Sequence, residues 1–165
     1  MAHQSATLPI KSFDYSELIE NFLYLGSSQT SKNLDGLRAL KITHIVNLAG
    51  KCHYPSEFTY GVFHIEDGLS KNKLNKNLPL ILQFLEQARQ SNSSHRVLIH
   101  CRGGISRTPF IAIIYLMHSM NMSLLDAFNR VKTIRSQTRI HEEHCKILLD
   151  LDKTNSCTLD MLMKS

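Results

Sequence analysis

No stretch of about 18 or more apolar residues occurs in this chain of 165 residues, so no membrane span is expected. The longest apolar run, Phe110 to Met117, falls far short of one. The opening residues, MAHQSATLPIKSF, lack the apolar core of a secretory leader, and Ala2 stands where myristoylation needs glycine. Cysteine is scarce. Cys52, Cys101, Cys145 and Cys157 form no CxxC pair, and their spacings suggest neither a zinc site nor a disulfide framework. A reducing intracellular compartment, cytoplasm or nucleus, is therefore expected. Internal repeats and low-complexity tracts are missing too.

What is present is an ordinary globular composition. Apolar residues make up 42% and charged residues 20%, enough for one domain with a real core. Net charge is +5 at pH 7 and is spread along the chain. That excess suits an anionic substrate but gives no argument for nucleic acid. Lys71, Lys73 and Lys76 cluster loosely and read as a solvated loop.

Along the chain, residues 1–21 read as an irregular lead-in, 22–151 as the folded domain and 152–165 as a polar tail. Strands are predicted at Phe22–Gly26, Thr43–Leu48, Tyr60–Glu66 and Arg96–His100, the last buried on both faces. Helical periodicity marks Ser31–Leu40 and Leu78–Ala88, with Pro79 in the first turn of the second. A polar loop, Asp67 to Lys73, precedes it. Thr108–Met120 is apolar nearly all round and predicts a core helix. Ser123 is a candidate N-cap for a helix burying Leu124, Ala127, Phe128 and Val131, and His141–Leu151 reads as a last helix. The implied fold is α/β: a central, mostly parallel, twisted sheet of about four to five strands, flanked by helices on both faces. Ligands of such sheets bind at the carboxyl ends of strands, and one such end follows Leu98-Ile99-His100.

That end carries the chemistry. His100-Cys101-Arg102-Gly103-Gly104-Ile105-Ser106-Arg107-Thr108 has the form H-C-x5-R-[ST], entered from a strand and leaving into a helix. Five residues between Cys101 and Arg107 let the chain curl round one tetrahedral oxyanion, with backbone N–H groups of residues 102–107 pointing inward. Gly103 and Gly104 permit the dihedrals and close approach of such a loop. The following helix adds positive potential at its N-terminus, and Arg107 can offer two parallel donors to a phosphate. The same field favours the thiolate of Cys101, the nucleophilic form.

With these residues the sequence resembles the protein tyrosine phosphatase superfamily, and G-x-S-R-[ST] resembles its dual-specificity branch. The resemblance covers roughly Phe22 to Leu151. It implies a catalytic domain over 22–151 that removes phosphate from phosphotyrosine and from phosphoserine or phosphothreonine. Cys101 would form a phosphocysteine, and Arg102 to Arg107 would bind the phosphate. Thr108 would hydrogen-bond the sulfur, and His100 would orient the loop through hydrogen bonds. The family's general acid matches Asp67, in the stretch Asp67-Gly68-Leu69-Ser70. By residue type alone Asp-Gly is a common turn pair, and Glu66 is a rival acid. Asn47 matches the asparagine that steadies the phosphate loop, and Ser106 is a further tie. No cofactor and no metal ion is implied. The expected partners are phosphorylated protein substrates, and the protein is expected to be a monomer.

Three other readings stay open. One takes phosphoinositide, phosphoglycan or RNA 5′-phosphate as the substrate class, although lipid-directed members tend to carry lysines in the loop. A pseudophosphatase would bind phosphoproteins without turnover. Cys52 is a candidate for a reversible disulfide with Cys101. The His141-Glu142-Glu143-His144 stretch has histidines three apart, not the four of the zinc-protease pattern, and reads as a surface helix end. Cys145 reads as core. One departure from the family lies before the last helix, where many members carry a proline-asparagine pair and this chain has Arg139-Ile140-His141-Glu142.

Overall fold

In the computed structural model of the chain, which describes residues 13–68 and 71–164, β1 (Tyr15–Ile19) and β2 (Leu23–Gly26) lead into α1 (Ser28–Lys32) and α2 (Leu34–Ala39). There follow β3 (His44–Asn47), β4 (Thr59–Val62), α3 (Lys71–Ser91), β5 (Val97–His100) and α4 (Arg107–Ser119). The chain closes with α5 (Leu124–Ile134), α6 (Glu142–Leu151) and α7 (Leu159–Met163). One five-stranded sheet has the order β1-β2-β5-β3-β4, with β1 antiparallel to β2 and the other pairs parallel.

Alternation along the strands assigns side chains to two cores. Leu23, Leu25, Val97 and Ile99 point to the larger one, filled by Phe110, Ile111, Ile114, Leu124, Val131 and Leu148 from the helices. Tyr24, Ile45 and Leu98 point the other way, against Leu37, Ile42 and Phe58. With both faces covered and β2 and β3 on either side, all four β5 residues are buried. Helix α4 is buried from Thr108 to Leu116, as its all-round apolar sequence implies. The register Gly26↔His100 and Asn47↔His100 brings the carboxyl ends of β2, β5 and β3 to one edge. The loop after His100 starts there.

Several boundaries differ from the sequence expectation. The lead-in is not irregular throughout: residues 15–19 form β1, with Ser16 and Leu18 facing inward. A buried serine in that alternation hides it from a hydrophobic pattern. Residues 1–12 lie outside the described residues. The single helix predicted over 31–40 is two helices, because the Asn33 side chain accepts from Gly36 N at 2.8 Å and starts a second one. Strand β4 ends at Val62 rather than Glu66. Helix α3 begins at Lys71, inside the predicted polar loop, so Pro79 lies in its interior and withholds the bond that the Asn75 carbonyl would accept. The polar tail is also more ordered than expected. Asp152 accepts from Thr154 and Ser156, and α7 follows with Cys157 and Leu162 buried. Among the described residues no helix is long and apolar enough to cross a membrane.

Candidate active site

Residues 101–106 link β5 to α4, and three of their carbonyls are held from outside. Arg102 O accepts from both the backbone N and Oγ of Ser28 at 3.0 Å. Gly104 O accepts from Arg135 Nε at 2.6 Å, and Ile105 O from Arg139 N at 2.9 Å. In a trans peptide the N–H is antiparallel to the C=O, so carbonyls turned outward turn the N–H groups of Gly103, Ile105 and Ser106 inward. Gly104 N also donates to Cys101 Sγ at 3.2 Å. These N–H groups and the buried Cys101 thiol thus lie on the same side of the loop. Of the two glycines, Gly104 is the constrained one. Its φ is +65°, and a Cβ there would stand 2.5 Å from Gly26 O. A Cβ on Gly103 would meet only the Ile105 side chain, at 3.6 Å.

Arg107 opens α4 and is held on the side of the predicted acid loop. Its Nη1 donates to Ile65 O at 2.9 Å, and its Nε lies 3.6 Å from Asp67 Oδ1. Nε is buried without a hydrogen bond, so it keeps a donor for a ligand. The Asp67 carboxylate is half-exposed at the mouth of the site. Residues 69 and 70 of that loop lie outside the described residues. Ser106 Oγ accepts from His141 N at 3.0 Å, which fastens the loop to the residue before α6. Arg102 and Ile105 are exposed on the rim.

Three support roles turn out differently. Thr108 is fully buried, and its one hydroxyl proton goes to Gly26 O at 3.3 Å rather than to the sulfur. The Asn47 side chain does not reach the phosphate loop. Its Nδ2 donates to Gly50 O at 3.1 Å, and its Oδ1 accepts from Ala49 N at 3.0 Å. Its link to the active loop is through the ladder, where the next residue's Leu48 N donates to His100 O at 2.9 Å. His100 is buried, and neither ring nitrogen meets a partner at hydrogen-bonding geometry. Burial pushes its pKa down to about 4, against a smaller opposing pull from the Cys101 backbone. It therefore supports the loop as a neutral, packed side chain between Gly26 and Asn47. All four cysteines are free thiols. Cys52 lies beside Asn47 Nδ2, at 3.6 Å.

Arg135 escaped the sequence reading. It is a fully buried arginine whose other donors reach Asp14 Oδ2 at 2.9 Å and Ser16 Oγ at 3.2 Å. The signal was available: Arg135 continues the buried stripe of α5 four residues beyond Val131. His144 also departs from expectation. It is fully buried, stacked on Phe110, and not part of a surface helix end.

With this geometry in place, the comparisons with known proteins are direct. The family description "Dual specificity phosphatase, catalytic domain" matches residues 23–154. The chain belongs to that family. Human dual specificity protein phosphatase 7 is 36% identical over 137 residues, covering 81% of this chain and 32% of the relative. This dual-specificity phosphatase domain thus spans about a third of the length of that relative. Among solved structures, a mouse putative dual specificity phosphatase complexed with zinc tungstate superposes with a TM-score of 0.78 at 20% identity, covering 92% and 94% of the two chains. The human tyrosine phosphatase-like serine/threonine/tyrosine-interacting protein gives 0.75 at 24% identity, covering 83% and 94%. These likenesses establish the fold. Among the described residues no group of three or more His, Cys, Asp or Glu is placed to hold a metal ion.

Proposed function

We propose that this protein is a cysteine-dependent protein phosphatase acting on phosphotyrosine and on phosphoserine or phosphothreonine. Cys101 Sγ attacks phosphorus as the P–O bond to the leaving group breaks, and the Asp67 carboxyl protonates the departing oxygen. Water then attacks the phosphocysteine, Asp67 takes its proton, and the S–P bond breaks to return the thiolate and release phosphate. The inward N–H groups of the loop and the Arg107 guanidinium stabilise charge on the equatorial oxygens throughout. Arg107 turns its free Nε, which now faces Asp67, to the phosphate, a rearrangement that couples substrate binding to the acid loop.

The observation that carries the reading is the outward tethering of three loop carbonyls around a buried Cys101 Sγ that already accepts from Gly104 N. Membership of the family supports the protein substrate class. Hydrolysis of a small aryl phosphate with EDTA present, alongside Cys101→Ser, tests the chemistry. Turnover by the wild type and none by the variant is expected, and equal turnover by both would remove Cys101 from the mechanism. Phosphopeptides should then exceed phosphoinositides in kcat/KM; the reverse order would overturn the protein substrate class.

A further inference from the structure

The proposed chemistry makes no use of His141-Glu142-Glu143-His144, yet this stretch lies against the acid loop. His144 has no exposed surface, and its ring stacks on Phe110 with centroids 4.4 Å apart and planes 11° from parallel. Neither of its ring nitrogens meets a partner at hydrogen-bonding geometry. Burying an imidazole in this way costs free energy that a phenylalanine at the same place would not. Asp67, the Glu66 backbone and Arg107 lie within its electrostatic reach.

His141 stands on the exposed side of the same surface. Its ring meets that of His144 edge-on at 6.0 Å. Its Cε1 lies 3.5 Å from where a Cβ on Gly68 would be. Through its backbone N–H to Ser106 Oγ it is fixed to the phosphate loop. Residues 66–68 thus sit between Arg107 on one side and the two histidines on the other. A phosphate in the cradle competes with Asp67 for Arg107 Nε, and so weakens the hold on Asp67 just when the acid must be aimed.

We propose that His144, flanked by His141, is a positioning residue for the acid loop: as phosphate draws Arg107 away, the His144 ring bonds the backbone at Glu66 and keeps Asp67 facing the leaving oxygen. This rests on the reading of Asp67 as general acid. The pair lies behind the reacting atoms and touches no substrate.

The test is dependence of kcat on the leaving group, measured with p-nitrophenyl phosphate, phenyl phosphate and a phosphoserine peptide. A general acid is worth about 10²–10⁴-fold and matters most for poor leaving groups. Asp67→Asn should steepen the dependence strongly. His144→Phe keeps the stack on Phe110 and should slow the poor leaving groups about tenfold, with p-nitrophenyl phosphate and KM little changed and melting no lower than wild type. His144→Gln, which keeps a donor, should restore most of the loss. His141→Ala, at an exposed position, should steepen the dependence more weakly. A steep Asp67→Asn with His144→Phe unchanged overturns the inference alone. So does an equal loss by His144→Phe on every substrate, accompanied by a fall in melting temperature, which would make His144 packing only. Identical dependence in wild type and Asp67→Asn removes both the acid assignment and the inference.

Discussion

Two adjacent glycines in the phosphate loop should respond very unequally to the same substitution. In Gly104→Ala the added Cβ would stand 2.5 Å from Gly26 O and 2.6 Å from Arg135 Nη2, and the backbone would be held at φ +65°. The left-handed conformation alone costs roughly 1–2 kcal/mol for a residue with a Cβ. Gly26 O belongs to a strand of the central ladder and cannot give way, so the loop must move and its bond to Arg135 Nε is weakened or lost, about another 1 kcal/mol. A total of about 2–3 kcal/mol corresponds to a fall in Tm of roughly 4–12 °C for a domain of this size. Activity should suffer more, because displacement of a catalytic group by about 1 Å costs on the order of 10²-fold. In Gly103→Ala the Cβ meets only the mobile end of Ile105 at 3.6 Å, and φ is not in the left-handed region. Its stability should stay within about 1 kcal/mol of wild type, and kcat/KM should fall little. The assays are thermal unfolding and aryl phosphate hydrolysis on both variants. Equal damage from the two substitutions, or greater damage from Gly103→Ala, would refute this account of the loop.

Arg135→Met should destabilise by about 2–4 kcal/mol and lower kcat, since it removes the tether on Gly104 O; denaturant unfolding and steady-state kinetics check both, and unchanged kcat would detach Arg135 from the loop. Leu162→Ala should cost about 2–4 kcal/mol because its side chain is buried against the core; a change below about 0.5 kcal/mol in urea unfolding would mean that α7 is not docked. The folded pKa of His100, about 4, lies below the usual 6.5, so the native state binds fewer protons than the unfolded chain between these values. That contribution, up to about 3 kcal/mol, is fully present above pH 6.5 and is lost as pH falls toward 4. His100→Asn should lose less stability between pH 7 and pH 5 than wild type, and an identical loss would contradict a buried neutral imidazole.

The active loop was legible because its chemistry is local: a strand end, a nucleophile, five residues and an arginine fix one another by chain geometry. Helix α4 was legible because every face of it is apolar, and the start of α5 because Ser123 caps it, its Oγ accepting from Asp126 N at 3.1 Å. What stayed hidden depends on distant partners. Strand β1 carries an inward serine that makes sense only once Arg135 is placed against it. Arg135 itself went unread, since its partners Gly104 and Asp14 are far away in sequence. The roles of Asn47 and Thr108 turned on which of several nearby acceptors each donor chose, and spacing does not decide that. His144 read as part of a polar helix end because two exposed glutamates precede it, although Cys145 and Leu148 mark the buried side. The helix α3 boundary was missed because its first turns are polar and Pro79 looked like a start.

The central claim is a covalent phosphocysteine at residue 101, and the most direct test is to trap it. Protein mixed with excess aryl phosphate and quenched in acid within one turnover should carry a single phosphoryl group on the peptide containing Cys101. The label should accumulate further in Asp67→Asn with an activated substrate, where hydrolysis of the intermediate is slowed, and be absent in Cys101→Ser. A phosphoryl group on any other side chain, or turnover with no trapped label in either the wild type or Asp67→Asn, would contradict the account.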